Sequence, residues 1–189
     1  MTARLERRKG NYRQMSEYLD RAQDAGYDPE MIARERILAS AQSADLDKAR
    51  PHLSKLLADP RGDEREICEA YIIGFIQFQL NDSAIQLVRA WQQDFPGDAR
   101  PHYLEGIIHK SMNVNKKAEQ CYLNALKVDP KYYAAAMEIA DVLLELKNTE
   151  RALKYLKLAE EDPFLLIDSY VAQAHCYRML GQTDKAEKI

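Results

Sequence analysis

Small apolar residues recur along this chain at one interval: Ala84, Ala118, Ala152 and Ala186 stand 34 residues apart. A second small column, Gly106, Ala140 and Ala174, keeps the same spacing, as do the large apolar pair Tyr122 and Leu156 and the small pair Ala125 and Ala159. A fixed period of this length marks stacked supersecondary units, none of which buries its apolar face alone. Pro29, Pro60, Pro96, Pro130 and Pro163 fall near the unit ends, and four of them follow Asp28, Asp59, Asp129 and Asp162. Proline disfavours helix in the residue before it and Asp is a good cap, so these pairs end one helix and launch the next.

A second break lies inside each unit. Segments 44–49, 113–118, 147–152 and 181–186 align, each placing small polar residues before a charged pair and an alanine. The pattern predicts a short turn and then a helix start, with Asp47, Thr149 and Thr183 as caps. Each unit therefore reads as two antiparallel helices of about a dozen residues joined by a tight turn.

These columns resemble the tetratricopeptide repeat family. The resemblance covers essentially the whole chain and is closest at Tyr103, Leu104, Glu105 and Gly106 with Ala118, Tyr122, Ala125 and Pro130, and over 133–189. Residues 30–64 keep Ala49, Leu53 and Leu57, with one extra residue before Ala84; residues 1–29 keep Gly10, Leu19, Ala22 and Pro29. It implies an all-α fold, a right-handed α-solenoid of stacked antiparallel helix pairs, with about five to six repeats. The expected organisation is a single array over 1–189, in units 1–29 (partial), 30–64, 65–98, 99–132, 133–166 and 167–189 (truncated). Both ends fall inside a unit. The expectation is a piece of a longer array or an array without its cap, whose open end, with Met179, Leu180, Ala186 and Ile189, favours self-association.

Composition narrows the classes without naming a partner. A hydrophobic fraction of 46% and a charged fraction of 30% suit a folded soluble protein, and only seven glycines lean toward helix. A net charge of −3 argues against a general nucleic-acid binder. The most apolar stretch, Ala70 to Leu80, is broken by Gln77 and Gln79 and is too short to span a bilayer. The charged N-terminal segment does not read as a signal peptide. Cys68, Cys121 and Cys176 are odd in number and far apart, which points to a reducing, cytoplasmic setting.

Catalytic chemistry finds no constellation. His102 and His109 share a helix face, yet no third ligand stands at helical spacing, and packing is the simpler role. His175 and Cys176, adjacent on a helix, point about 100° apart and do not meet as base and nucleophile. No glycine-rich phosphate loop, zinc-spaced cysteine pair or Gly-x-Ser-x-Gly elbow occurs. Glu138, Asp141 and Glu145 form an acidic stripe that reads as a solvated face or a contact for a basic ligand. Tyr71, Tyr122, Tyr170 and Tyr177 are expected in the core. No catalytic residue, cofactor or metal site is expected.

The resemblance further implies that the first helix of each unit lines a concave groove. Stepping by 34 gives one column of Glu69, Tyr103, Met137 and Val171, a second of Ile73, Ile107, Asp141 and His175, and a third of Ala70, Leu104, Glu138 and Ala172. Arg178 lies toward the helix ends. The Lys, Asn and Arg clamp that family members use for chaperone tails is absent, since these columns hold Glu69, Ile73, Leu104, Ala134 and Glu138. The asparagine ladder of the sugar-transferring members is absent as well. The expected function is a non-catalytic protein- or peptide-binding adaptor, its partner carrying apolar anchors and basic residues, without nucleic acid or membrane insertion. The alternatives are an architectural module, homo-oligomeric through its open C-terminal end, and the substrate-selecting arm of a larger enzyme.

Overall fold

The computed structural model describes residues 2–189. Among them the chain is all helix, with no strand. The elements are α1 (Thr2–Arg8), α2 (Tyr12–Asp24), α3 (Pro29–Gln42), α4 (Leu46–Ala49), a 3-10 turn (Arg50–His52), α5 (Leu53–Ala58), α6 (Glu64–Gln77), α7 (Asn81–Asp94), α8 (Ala99–Ser111), α9 (Asn115–Val128), α10 (Tyr133–Glu145), α11 (Thr149–Ala159), α12 (Leu166–Met179) and α13 (Thr183–Ala186). They divide into two compact units, up to Leu87 and from Val88. Among the described residues no helix is long and apolar enough to cross a membrane.

The helix pairs close through one repeated backbone device. Gly10, Ala44, Gln79, Asn113, Lys147 and Gly181 each adopt a left-handed conformation, with φ between 56° and 77°. The following amide donates to the carbonyl five residues back: Asp45 to Ser40 (2.8 Å), Leu80 to Phe75 (2.8 Å), Val114 to His109 (2.9 Å), Asn148 to Leu143 (2.7 Å) and Gln182 to Tyr177 (2.8 Å). The left-handed residue itself donates to the carbonyl three back, as Lys147 does to Leu144 (2.9 Å). This is the Schellman arrangement, which satisfies carbonyls that a helix end leaves open and reverses the chain within three residues.

The small columns then let the paired helices approach. In the second unit Ala118, Tyr122, Ala125, Ala152 and Leu156 share one core with Ala135, Ile139, Ala140, Val142 and Leu143 of α10. The buried positions of α10 (135, 136, 139, 140, 142 and 143) trace one helical face. A Cβ on Gly106 would stand 2.3 Å from the Tyr122 ring, so only glycine fits there. In the first unit Gly74 plays the same part against backbone, since its Cβ would meet the Ala41 carbonyl oxygen at 2.1 Å. The Tyr71 hydroxyl donates to the Ala49 carbonyl (2.6 Å) and ties α6 to α4.

Three expectations need correction. The second helix of 30–64 is not continuous: Pro51 lacks an amide hydrogen and interrupts the segment between α4 and α5 with a 3-10 turn. Asp47, Thr149 and Thr183 lie within their helices rather than at the cap, and the flanking positions are Asp45, Asn148 and Gln182. Of these, Asn148 accepts a side-chain bond from the Arg151 amide (3.4 Å). Tyr170 is exposed rather than core. Helix α12 buries Ser169, Gln173 and Cys176, a stripe from which Tyr170 is turned by one residue. Asp28 does cap α3, accepting from the Glu30 amide (2.9 Å), and Asp98, Asp129 and Asp162 accept from the amide two residues on in the same way.

The left-handed turn predicts a stabilising change. A non-glycine residue there carries a steric penalty of roughly 1–2 kcal/mol, partly offset by the chain entropy glycine loses on folding. Lys147→Gly should therefore raise the unfolding free energy by about 0.5–1 kcal/mol in urea titration, and Lys147→Ala should not.

Candidate partner-binding faces on the first helices

In the second unit α8, α10 and α12 are the first helices of successive pairs, and they carry the predicted groove residues. Tyr103, Ile107, Met137 and Glu138 are half-buried; Asp141, Val171, His175 and Arg178 are exposed, Val171 to 64%. Tyr103 is fixed by aromatic neighbours, with ring centroids 5.7 Å from Tyr122 and 5.3 Å from Tyr132. The Arg100 guanidinium lies over its ring at 5.3 Å and donates to the Tyr132 hydroxyl (3.0 Å). The third column divides, with Glu138 and Ala172 half-buried. Leu104 is buried, as is Ala70 in the first unit, because a position one residue on turns about 100° into the interhelical seam.

A cleft of about 340 Å³ opens beside this strip, lined by Ile107, Lys110, Ser111, Tyr122 and Glu138. Lys110 spans from α8 to α10 and donates to both Glu138 (2.8 Å) and Asp141. Glu145 accepts from Asn115 (2.6 Å). The acidic stripe is thus engaged by neighbouring donors and is not a bare negative patch. Among the described residues the buried Tyr122 hydroxyl has no hydrogen-bond partner. Burial, with the charge of Glu138 beside it, pushes its ionisation far above the ordinary tyrosine value. Helix α12 is seated on α11 by a polar chain: Ser169 donates to the Leu156 carbonyl (2.6 Å), and Gln173 donates to Glu160 (2.6 Å) and to Ser169 (3.1 Å).

The first unit uses its first helices in another way. Arg4 makes a two-pronged pair with Asp63 (2.9 and 2.8 Å) and donates to Glu35 (2.8 Å). Arg7, only 1% exposed, directs Nε to Glu35 (3.1 Å), one Nη to Gln42 (2.8 Å) and the other to Glu66. Arg8 also donates to Glu66. Helices α1, α3 and α6 are therefore joined by a buried ionic network in which each guanidinium nitrogen of Arg7 has an acceptor. Glu69 and Ile73, the groove residues expected from this unit, are both half-buried on α6, with Glu69 within the electrostatic reach of Arg8. Sequence reading missed this network. Its one visible signal was the spacing of Arg4, Arg7 and Arg8, which places three cations on one side of a short helix.

The histidines and cysteines also find partners that helical spacing alone does not reveal. His102 Nδ1 lies 3.1 Å from Gln92 Nε2, which also donates to Glu105 Oε2 (2.9 Å). Glu105 and His109 of α8 meet Cys121 of α9, and one potential ligand atom from each lies within 4.8 Å of the others. Burial and the Glu105 carboxylate push the Cys121 thiol up to about 12, and burial pulls His109 below its usual range. His175 is exposed beside the fully buried Cys176, so the two make no catalytic pair.

The pairing, the 34-residue columns and the repeated left-handed turn define a helical-repeat protein built from antiparallel helix pairs. The model of the tetratricopeptide repeat family matches residues 103–165 of this chain. A comparison with the curated proteins finds no match. Among solved structures the chain is similar to Pseudomonas aeruginosa PilF (18% identity, TM-score 0.73, 99% of this chain and 85% of that one). It is also similar to MamA (19%, 0.66, 79% and 86%) and to a thermophilic TPR protein in Thermus thermophilus (16%, 0.57, 74% and 77%). At these identities the likeness is one of fold.

Glu66 supplies a pH-dependent test of the ionic network. Burial pushes its carboxyl up, but the hydrogen bond from Arg8 and the charges of Arg7 and Arg8 outweigh this and hold it below the ordinary glutamate value of 4.5. A carboxyl depressed in the folded state adds stability above the unfolded pKa and loses it as pH falls through the folded one. Glu66→Gln should cost about 2–3 kcal/mol at neutral pH by leaving buried Arg7 short of a charge partner. The variant should also flatten the loss of stability below about pH 4.5, measured by urea unfolding across pH.

Proposed function

We propose that this chain is a non-catalytic adaptor that binds a protein or peptide along the first-helix face of its second unit. The observation that carries the reading is the apolar strip of half-buried Tyr103, Ile107 and Met137 with exposed Val171 on α8, α10 and α12, edged by Asp141, His175 and Arg178. Half-exposed apolar atoms flanked by fixed charges are the composition of a recognition patch. The partner that fits is an extended or helical peptide with apolar anchors, a basic residue toward Asp141 and Glu138, and an acidic one toward Arg178. The cysteines at 68, 121 and 176 are free thiols, in keeping with a reducing, cytoplasmic compartment.

Peptide display against the wild-type protein, followed by rebinding to Met137→Glu/Val171→Glu, tests this reading. Selected peptides should carry aliphatic or aromatic residues with Lys or Arg, and should lose at least about tenfold in affinity for the variant. Peptides that bind both proteins equally, or a selection that enriches nothing, would overturn the assignment.

A second reading is favoured by the apolar exposure of Phe164 (93%), Ile167 (75%) and Met179 around α12. On that reading these exposed apolar side chains serve self-association, because exposed apolar area can mark an interaction site. Sedimentation equilibrium should then show concentration-dependent dimers that Ile167→Glu abolishes, and a strictly monomeric mass at high concentration rejects it.

A further inference from the structure

We infer that Glu105, His109 and Cys121 form a binding site for a zinc-class divalent transition metal, built between the two helices of one repeat. The three residues come from α8 and α9, and one candidate ligand atom from each lies within 4.8 Å of the others. Thiolate, imidazole and carboxylate are the three side-chain types that bind zinc, and three protein ligands with one open position is its usual non-structural coordination. A tetrahedral ion would draw the ligand atoms to about 3.5 Å apart, a movement within the reach of rotamer adjustment by the half-buried Glu105 and His109.

Two further features mark the place as built. His109 carries a buried ring nitrogen, Nδ1, with no hydrogen-bond partner among the described residues, so the imidazole has an unmet polar requirement there. Gln92 donates to Glu105 Oε2 at 2.9 Å while standing 3.1 Å from His102 Nδ1, so this carboxylate is oriented by a second residue. Such outer contacts are what fix ligand direction at metal sites. Helical geometry supplies the rest: Glu105 and His109 are four residues apart on one face, and the Schellman turn at Asn113 brings α9 back alongside so that Cys121 meets them. The partial exposure of Glu105 and His109 leaves water to fill the fourth position. Binding forms the sulfur–metal bond and releases the thiol proton to solvent, so affinity rises with pH.

The experiment titrates the metal-free protein with Co²⁺ alone and then displaces it with Zn²⁺. The expected result is one equivalent bound, with a thiolate-to-cobalt charge-transfer band and tetrahedral ligand-field bands, both lost on adding Zn²⁺. Cys121→Ser should remove the charge-transfer band, and His109→Gln and Glu105→Gln should each lower Zn²⁺ affinity at least about tenfold. Cys68→Ser and Cys176→Ser should leave the spectrum unchanged. Zn²⁺ at about a hundredfold excess over its Kd should raise the wild-type melting temperature by roughly 5–10 °C and leave that of His109→Gln unmoved. Absence of the charge-transfer band in the wild-type protein overturns the site without recourse to any variant. Its persistence in Cys121→Ser overturns it as well, and if that variant loses helicity, His109→Gln carries the same test.

Discussion

The reversal between paired helices is the constraint on which the rest depends. Two helices that must lie antiparallel within three residues need one left-handed residue and two back-directed amides, and positions 10, 44, 79, 113, 147 and 181 all supply them. Ala118 and Ala152 are fully buried in the second unit, and Ala49 in the first. The same reversal sets which face of each first helix remains open, and it carries Cys121 back to Glu105 and His109.

The period was legible in the sequence because packing selects small residues, and small residues are visible as letters. The turn was less so. Only Gly10 and Gly181 announce a left-handed backbone; Ala44, Gln79, Asn113 and Lys147 adopt it because tertiary packing of the pair outweighs a local penalty of roughly 1–2 kcal/mol. The cap assignments slipped by one or two residues for the same reason, since the helix begins directly after the left-handed residue and its neighbour. The break at Pro51 was readable from the letter alone, but the alignment of Ala49 and Leu53 with the repeat concealed it. The shared face of His102 and His109 followed from helical spacing, whereas Cys121 could join His109 only once the pairing of α8 with α9 was known. Tyr103, Ile107, Met137 and Val171 of the first two expected columns keep part of their surface open, whereas Ala70 and Leu104 of the third are buried.

The two units treat the same kind of surface in opposite ways, and the difference is one of desolvation. On α1, α3 and α6 the charges are already paired with each other, and Arg7 is buried with an acceptor for each guanidinium nitrogen. A ligand there would have to replace those acceptors one for one, since an uncompensated buried charge costs about 3–5 kcal/mol. On α8, α10 and α12 the balance is reversed. Tyr103, Ile107, Met137 and Val171 keep apolar area in water, and covering it contributes about 25 cal/mol per Å² without breaking a bond inside the protein. Lys110 is the hinge of that comparison. It holds Glu138 and Asp141 at the surface, where a basic ligand group can share those carboxylates while Lys110 keeps one of them. A ligand on the second unit would therefore add contacts to an arrangement that already exists, whereas on the first unit it would have to dismantle one.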